Sequence, residues 1–127
     1  MSQSNKSSLG LDFGTESVRA LLVDLDGSEL SSAVVRYPHG QITESLPTDP
    51  GNSLPAEYAL QHPQDWIDSA AQAVRQAMAR AGAPADTIIG IGVDFTSCTM
   101  LPTLADGTPL CLVEKYAQRP LAWPKLW

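Results

Sequence analysis

The sequence predicts a mixed α/β domain with an antiparallel three-stranded start, one main helix, and then a strand parallel to the first. Three observations carry this expectation. Two apolar runs, Leu9 to Phe13 and Val18 to Val23, flank a turn made of Gly14, Thr15, Glu16 and Ser17, which is the pattern of a β-hairpin. One long stretch, from Pro63 to about Ala81, repeats apolar residues at helical spacing. Behind it, Thr87 to Asp94 is almost continuously apolar, as a strand buried on both faces would be.

The elements follow in order. After the hairpin, Asp26-Gly27 is a strong turn signal, and a third strand is expected from about Leu30 to Tyr37. Three meandering strands in a row set the chain apart from a Rossmann domain, which alternates strand and helix from the start. From Pro38 to Gln61 the pattern dissolves under Pro38, Pro47, Pro50, Pro55, Gly40 and Gly51. A loop of that length is uncommon in a compact domain. It is read either as a surface excursion or as a segment that closes over a substrate or contacts another subunit. Its Leu46, Leu54, Tyr58 and Leu60 are available for burial.

Pro63 suits the first position of the helix. Trp66, Ile67, Ala70, Ala71, Val74, Ala77, Met78 and Ala81 form its apolar stripe. Asp65 and Asp68 near its start, and Arg75 and Arg80 near its end, match the helix dipole. Gly82 and Pro84 stop it. In the strand that follows, Gly90 and Gly92 are expected to let a neighbouring backbone pack closely. They do not form a dinucleotide fingerprint, because Phe95 stands at the third glycine position. Thr99 to Leu104, a turn at Asp106-Gly107, and Pro109 to Val113 read as a further strand pair.

Totals narrow the function classes. A chain of 127 residues fits one domain. The net charge of −6 argues against nucleic acid or an anionic membrane as partner, since both call for basic patches. No apolar run is long enough to span a bilayer. Residues 1–8 are polar and lack the apolar centre of a signal peptide; they read as a disordered leader, with the domain over 9–127 and a cytoplasmic location. The two cysteines, Cys98 and Cys111, form no C-x-x-C pair. Together with His39 and His62 they match no familiar zinc spacing, and two reduced thiols are expected.

Two stretches carry chemistry. The hairpin tip combines Asp12, Gly14, the hydroxyls of Thr15 and Ser17, and backbone N–H groups. Glycine allows close approach of backbone, and successive N–H groups can make an anion-binding concavity. A carboxylate offers Mg²⁺ a hard oxygen. The competing reading is an ordinary turn, because Asp, Gly and Thr are common there; no Gly-Lys-Ser/Thr follows, so this is not a Walker loop. The second stretch is Phe95-Thr-Ser-Cys-Thr99, at the carboxyl end of a strand, where ligands of open α/β sheets bind. Its competing reading is a plain connection.

The segments Leu9 to Asp24, His62-Pro-Gln-Asp-Trp66, Ile89 to Pro102 with its Asp-Phe-Thr-Ser-Cys-Thr-Met run, and Trp123-Pro-Lys-Leu-Trp127 together resemble the FGGY family of carbohydrate kinases in the actin-like ATPase superfamily. Within that family the likeness is to kinases of L-ribulose. It covers nearly the whole chain and implies a ribonuclease H-like/actin-like fold, here the N-terminal portion of the first of two domains. It implies ATP and Mg²⁺ as cofactors and a ketopentose as substrate, giving L-ribulose 5-phosphate. Carried over by position, Asp12 would hold Mg²⁺ through water. Gly14, Thr15, Glu16 and Ser17 would line the phosphate turn, with Arg19 near the transferred phosphate. Thr96, Ser97 and Cys98 would touch the sugar. Glu16 departs from relatives that carry a hydroxyl residue there. The family's catalytic base and adenosine pocket lie downstream, so no catalytic residue is expected in this chain, which would be inert alone. A homo-oligomer is compatible with this reading. The alternatives are a kinase of xylulose, glycerol or another polyol, and a non-catalytic actin-like assembly protein.

Overall fold

The computed structural model describes residues 5–126, which fall into two compact units. The first holds the residues up to Tyr37 together with Trp66–Phe95, and the second holds Pro38–Asp65 and the residues from Thr96 onward.

The first unit is a four-stranded sheet with a helix on one face. Its strands are β1 (Ser7–Phe13), β2 (Ser17–Asp24), β3 (Glu29–Arg36) and, after the helix α1 (Pro63–Ala81), a strand over Ile88–Phe95. The order across the sheet is β3, β2, β1 and then the Ile88–Phe95 strand. The first three pair antiparallel, and the last runs parallel to β1. The expected architecture is therefore present. Ser7 and Ser8, read from the sequence as leader, belong to β1, where the side chain of Ser7 is buried. Met1–Ser4 lie outside the described residues, as does Trp127.

Alternation along the strands sorts the faces. Leu9 and Phe13 of β1, Val18, Ala20 and Leu22 of β2 and Ala33 of β3 turn inward and bury against Ala73 and Ala77 of α1, with Trp66, Ala70, Val74, Met78 and Ala81 packed beside them. Alanines at the contact let the helix sit close to the sheet, and the Ser31 hydroxyl donates to the Ala77 carbonyl at 2.6 Å. Ile67, expected on this stripe, is exposed instead, and Ala73 takes its place.

The helix ends as its punctuation dictates. Gly82 has φ +62°, its N–H bonds the Ala79 carbonyl, and the Ala83 N–H bonds that of Met78, the paired closure of a Schellman cap. The turn between β2 and β3 likewise uses Gly27 at φ +85°, with Asp24 Oδ1 accepting from the N–H groups of Asp26 and Ser28.

In the second unit, the long segment after Tyr37 builds one side of a core. It contains a short hairpin of β4 (Ser45–Leu46) and β5 (Asp49–Ser53), and hereafter the Ile88–Phe95 strand is β6. Ile42, Leu46 and Leu60 bury with Cys111, Ala122 and Trp123, and Leu54 and Tyr58 pack alongside. Extended segments hold this unit together through short bridges, Ile42 with Leu60 and Lys125 with both Leu60 and Met100.

Two expectations are corrected. The strand pair at Thr99–Leu104 and Pro109–Val113 does not form. Among the described residues the two stretches meet through the single bridge Thr103–Pro109, Met100 bridges Lys125 instead, and Leu110–Leu112 is a 3₁₀ turn. Pro102 and Pro109 each lack the N–H that a ladder needs. The Asp106-Gly107 turn is present, with Gly107 at φ +89°. The second correction concerns β6, which is not buried on both faces. It is the edge strand, with Ile91 63% and Val93 64% exposed. Gly90 and Gly92 face open space, so they accommodate no close neighbour.

Candidate functional site

The first-unit candidates gather at one end of β1 and β2. Asp12, next to last in β1, is the register partner of Arg19 on β2. Both are exposed on the sheet face away from α1. They border an open, mostly apolar cavity of about 440 Å³, lined also by Gly10, Leu11, Leu21, Gly92, Val93 and Asp94. The hairpin tip is closed by the Gly14 N–H donating to the Ser17 carbonyl at 2.8 Å. A Cβ on Gly14 would stand 3.1 Å from that oxygen, a tight contact that a larger residue could make only by shifting the tip. The same bond uses the Gly14 N–H internally and withholds it from a ligand. The side chain of Glu16 reaches Arg36 at 3.3 Å, a pair exposed on both sides, and its carbonyl accepts the Tyr37 N–H. Arg36 thus draws the Glu16 carboxylate to itself.

The second-unit candidates form a turn. The hydroxyls of Thr96 and Thr99 are 2.6 Å apart, which closes the loop across Ser97 and Cys98, both exposed. Cys98 has φ +68°, a left-handed backbone that costs a non-glycine residue energy and marks positions held by their surroundings. Cys98 also lines a cavity of about 250 Å³ with Tyr58, Met100, Pro102, Leu121, Trp123 and Lys125, and the Lys125 ammonium lies 4.6 Å from the Tyr58 ring centre. The lining is mostly apolar. Cys111 is a buried free thiol whose pKa burial pushes up to about 11. A buried thiol so held stays neutral near pH 7.

Two further acids, Asp65 and Asp94, stand close to His39 and Asp12 respectively. Asp65, read only as a helix-dipole partner, is buried and accepts from the His39 backbone N–H at 2.9 Å. Its other oxygen lies 2.8 Å from His39 Nδ1. The His39 ring stacks on His62 at 4.5 Å, and His62 meets Trp123 edge-on. His39, His62 and Asp65 are close enough to be considered as metal ligands. However, His62 Nδ1 accepts from the Gln64 N–H, both Asp65 oxygens are engaged, and near-parallel rings, 18° apart, do not converge on one ion. The cluster is a structural clamp. Asp94 stands beside Asp12 across the parallel ladder.

No protein-family model matches the chain. The ribulokinase of Geobacillus thermodenitrificans is 49% identical over 119 residues, and that of Mycolicibacterium smegmatis is 50% identical over 120. Each alignment takes in 94% of this chain. Both of these relatives are ribulokinases. A more distant ribulokinase, from Staphylococcus saprophyticus, is still 40% identical over 121 residues. The chain spans about a fifth of these ribulokinases, 21% of the first two. Among solved structures, a xylulose kinase from Brucella ovis superposes with a TM-score of 0.65 at 24% identity, over 80% of this chain and 19% of that one. A xylulose kinase from Rhodospirillum rubrum gives 0.60 at 22%. The chain thus folds like the matching fifth of these two structures, as the mixed α/β expectation from the sequence requires.

Proposed function

We propose that this chain is the N-terminal part of an ATP-dependent sugar kinase acting on a ketopentose, with L-ribulose as the substrate and L-ribulose 5-phosphate as the product. The observation that carries the proposal is the near-50% identity to ribulokinases along almost the entire chain.

The arrangement of the hairpin supports the role of the first unit. Phosphoryl transfer relies on positioning and on neutralising charge around the transferred group. Asp12 offers an exposed hard oxygen, and Arg19 offers a permanent positive charge on the same open face. The carboxylate fits a hydrated Mg²⁺, which keeps several waters and takes few protein ligands, and the guanidinium fits the phosphate rather than the ion. When bound, the ion supplies charge neutralisation at the phosphates of ATP. In this reading Arg19 faces the phosphate, Gly14 and Ser17 hold the tip closed, Thr15 lines it, and Glu16 shapes it through Arg36. Thr96, Ser97 and Cys98 belong to the sugar-binding side. The attacking hydroxyl needs a base, which the proposal places in a part of the longer protein outside this chain.

The test is a coupled ADP-release assay on the longest natural form of the chain, with Mg-ATP and a panel of L-ribulose, D-ribulose, xylulose and glycerol. Preference for L-ribulose is expected, and Asp12→Asn is expected to lower kcat/KM by at least about tenfold, the scale on which loss of metal support acts. Turnover confined to xylulose or glycerol would replace the substrate. Absence of turnover on the whole panel would overturn the kinase reading.

A further inference from the structure

The β1–β6 register places Asp94 directly beside Asp12, and with it a second carboxylate at the hairpin site. We propose that Asp94 shares with Asp12 the water shell of one divalent cation at the nucleotide phosphates; this inference rests on the kinase reading above.

The geometry is specific. Partners in adjacent strands point to the same face, with backbones about 4.8 Å apart. Asp12 and Asp94 therefore stand side by side, with Arg19 partnering Asp12 from the other flank. Two positions earlier in each strand, Gly10 and Gly92 are also register partners. No Cβ rises from either, so the floor beneath the two carboxylates is bare backbone and the cavity of about 440 Å³ opens above it. That space suits an ion carrying its own waters better than a fully desolvated one.

Charge points the same way. Like charges directly opposite on a sheet repel, and one arginine against two carboxylates leaves a negative surplus. Among the described residues, Asp12, Arg19 and Asp94 form no hydrogen bond or ion pair that would absorb that surplus. A divalent cation removes it.

The pair is also held in place. Phe13 and Phe95, the residues that follow Asp12 and Asp94, stack at 5.0 Å, and Trp66 of α1 meets Phe95 edge-on at 4.9 Å. This aromatic contact on the opposite face fixes the strand ends in register, and hence the spacing of the two acids. The sequence offers no hint of it, because Asp12 and Asp94 become neighbours only through parallel pairing.

Mn²⁺ titration followed by paramagnetic resonance tests the proposal, using the longest natural form of the chain with a non-hydrolysable ATP analogue. Asp94→Asn is compared with the unaltered protein, and Asp94→Glu retains the carboxylate. The expected result is about a 10- to 100-fold weaker Mn²⁺ affinity in Asp94→Asn, partial recovery in Asp94→Glu, and an unchanged sugar KM. Asp94 is exposed on an edge strand, and an unchanged melting curve would confirm that the variants fold. Unaltered Mn²⁺ affinity in Asp94→Asn overturns the proposal. So does a loss confined to sugar KM, which would make Asp94 a sugar contact. Either result leaves the kinase reading intact provided the unaltered protein turns over L-ribulose. No Mn²⁺ binding by the unaltered protein, with or without the analogue, overturns the proposal regardless of turnover.

Discussion

Both carboxylate oxygens of Asp65 are committed to one residue, His39. A buried carboxylate is tolerated only with such partners, and here the pair also seats the His39 ring on His62, which in turn meets Trp123. Replacing Asp65 with Asn removes the charge and turns an NH₂ toward a donor. Loss of one charge-assisted hydrogen bond is worth about 1.5–3 kcal/mol. Asp65→Asn is therefore expected to destabilise the chain by about that amount in urea unfolding. His39→Ala should cost less in the Asp65→Asn background than in the unaltered chain, because the ring's Asp65 partner is already lost and only its stacking on His62 remains to be removed. An unchanged midpoint for Asp65→Asn would show that the clamp contributes nothing. The sequence could not reveal this role. Asp65 sits in the first turn of α1, where an acid already has a local reason to be, and its partner is 26 residues away. Asp94 escaped for a related reason. Asp12 is a candidate by its place at the hairpin tip, but its adjacency to Asp94 belongs to the ladder and leaves no local pattern.

At the scale of elements, legibility followed local chemistry. α1 runs over Pro63–Ala81 because Pro63 opens it and Gly82 closes it, and both signals are written within one turn of the boundary. The hairpin and the Asp26-Gly27 turn were legible on the same grounds. The strand pair expected after Thr99 failed where local apolarity outweighed the missing donors of Pro102 and Pro109. The segment after Tyr37 was opaque because its order comes from distant partners such as Trp123 and Lys125. The cap of α1 allows a direct check. Gly82 holds φ +62°, and a Cβ there would meet nothing within 4 Å. Any effect of Gly82→Ala is therefore one of backbone conformation, and a left-handed residue with a Cβ costs about 1–2 kcal/mol. Thermal unfolding should show a loss of that size, with a smaller one for Gly82→Asn, since Asn tolerates this region. Equal melting of Gly82→Ala and the unaltered chain would refute the cap argument.

At the scale of the whole molecule, the exposed edge of β6 is the feature that bears on association. Its apolar run predicts burial on both faces, yet it lies at the sheet edge with Ile89, Ile91 and Val93 exposed. Sequence records how apolar a strand is, and says nothing about what lies beside it. An exposed edge with unpaired N–H and C=O groups and aliphatic side chains is a template for pairing with another chain. The net charge of −6 opposes association only weakly at physiological salt, where exposed charges more than about 8 Å apart are screened. The 127-residue chain is therefore expected to self-associate as its concentration rises. Ile91→Lys places a charge in the middle of the edge, one of the devices by which natural sheets prevent such pairing. Because Ile91 is 63% exposed, its replacement should shift stability by no more than about 0.5 kcal/mol. Sedimentation velocity should then show a shift toward monomer at an unchanged melting temperature. Association that persists undiminished in Ile91→Lys would mean that β6 is not the surface through which the chains meet.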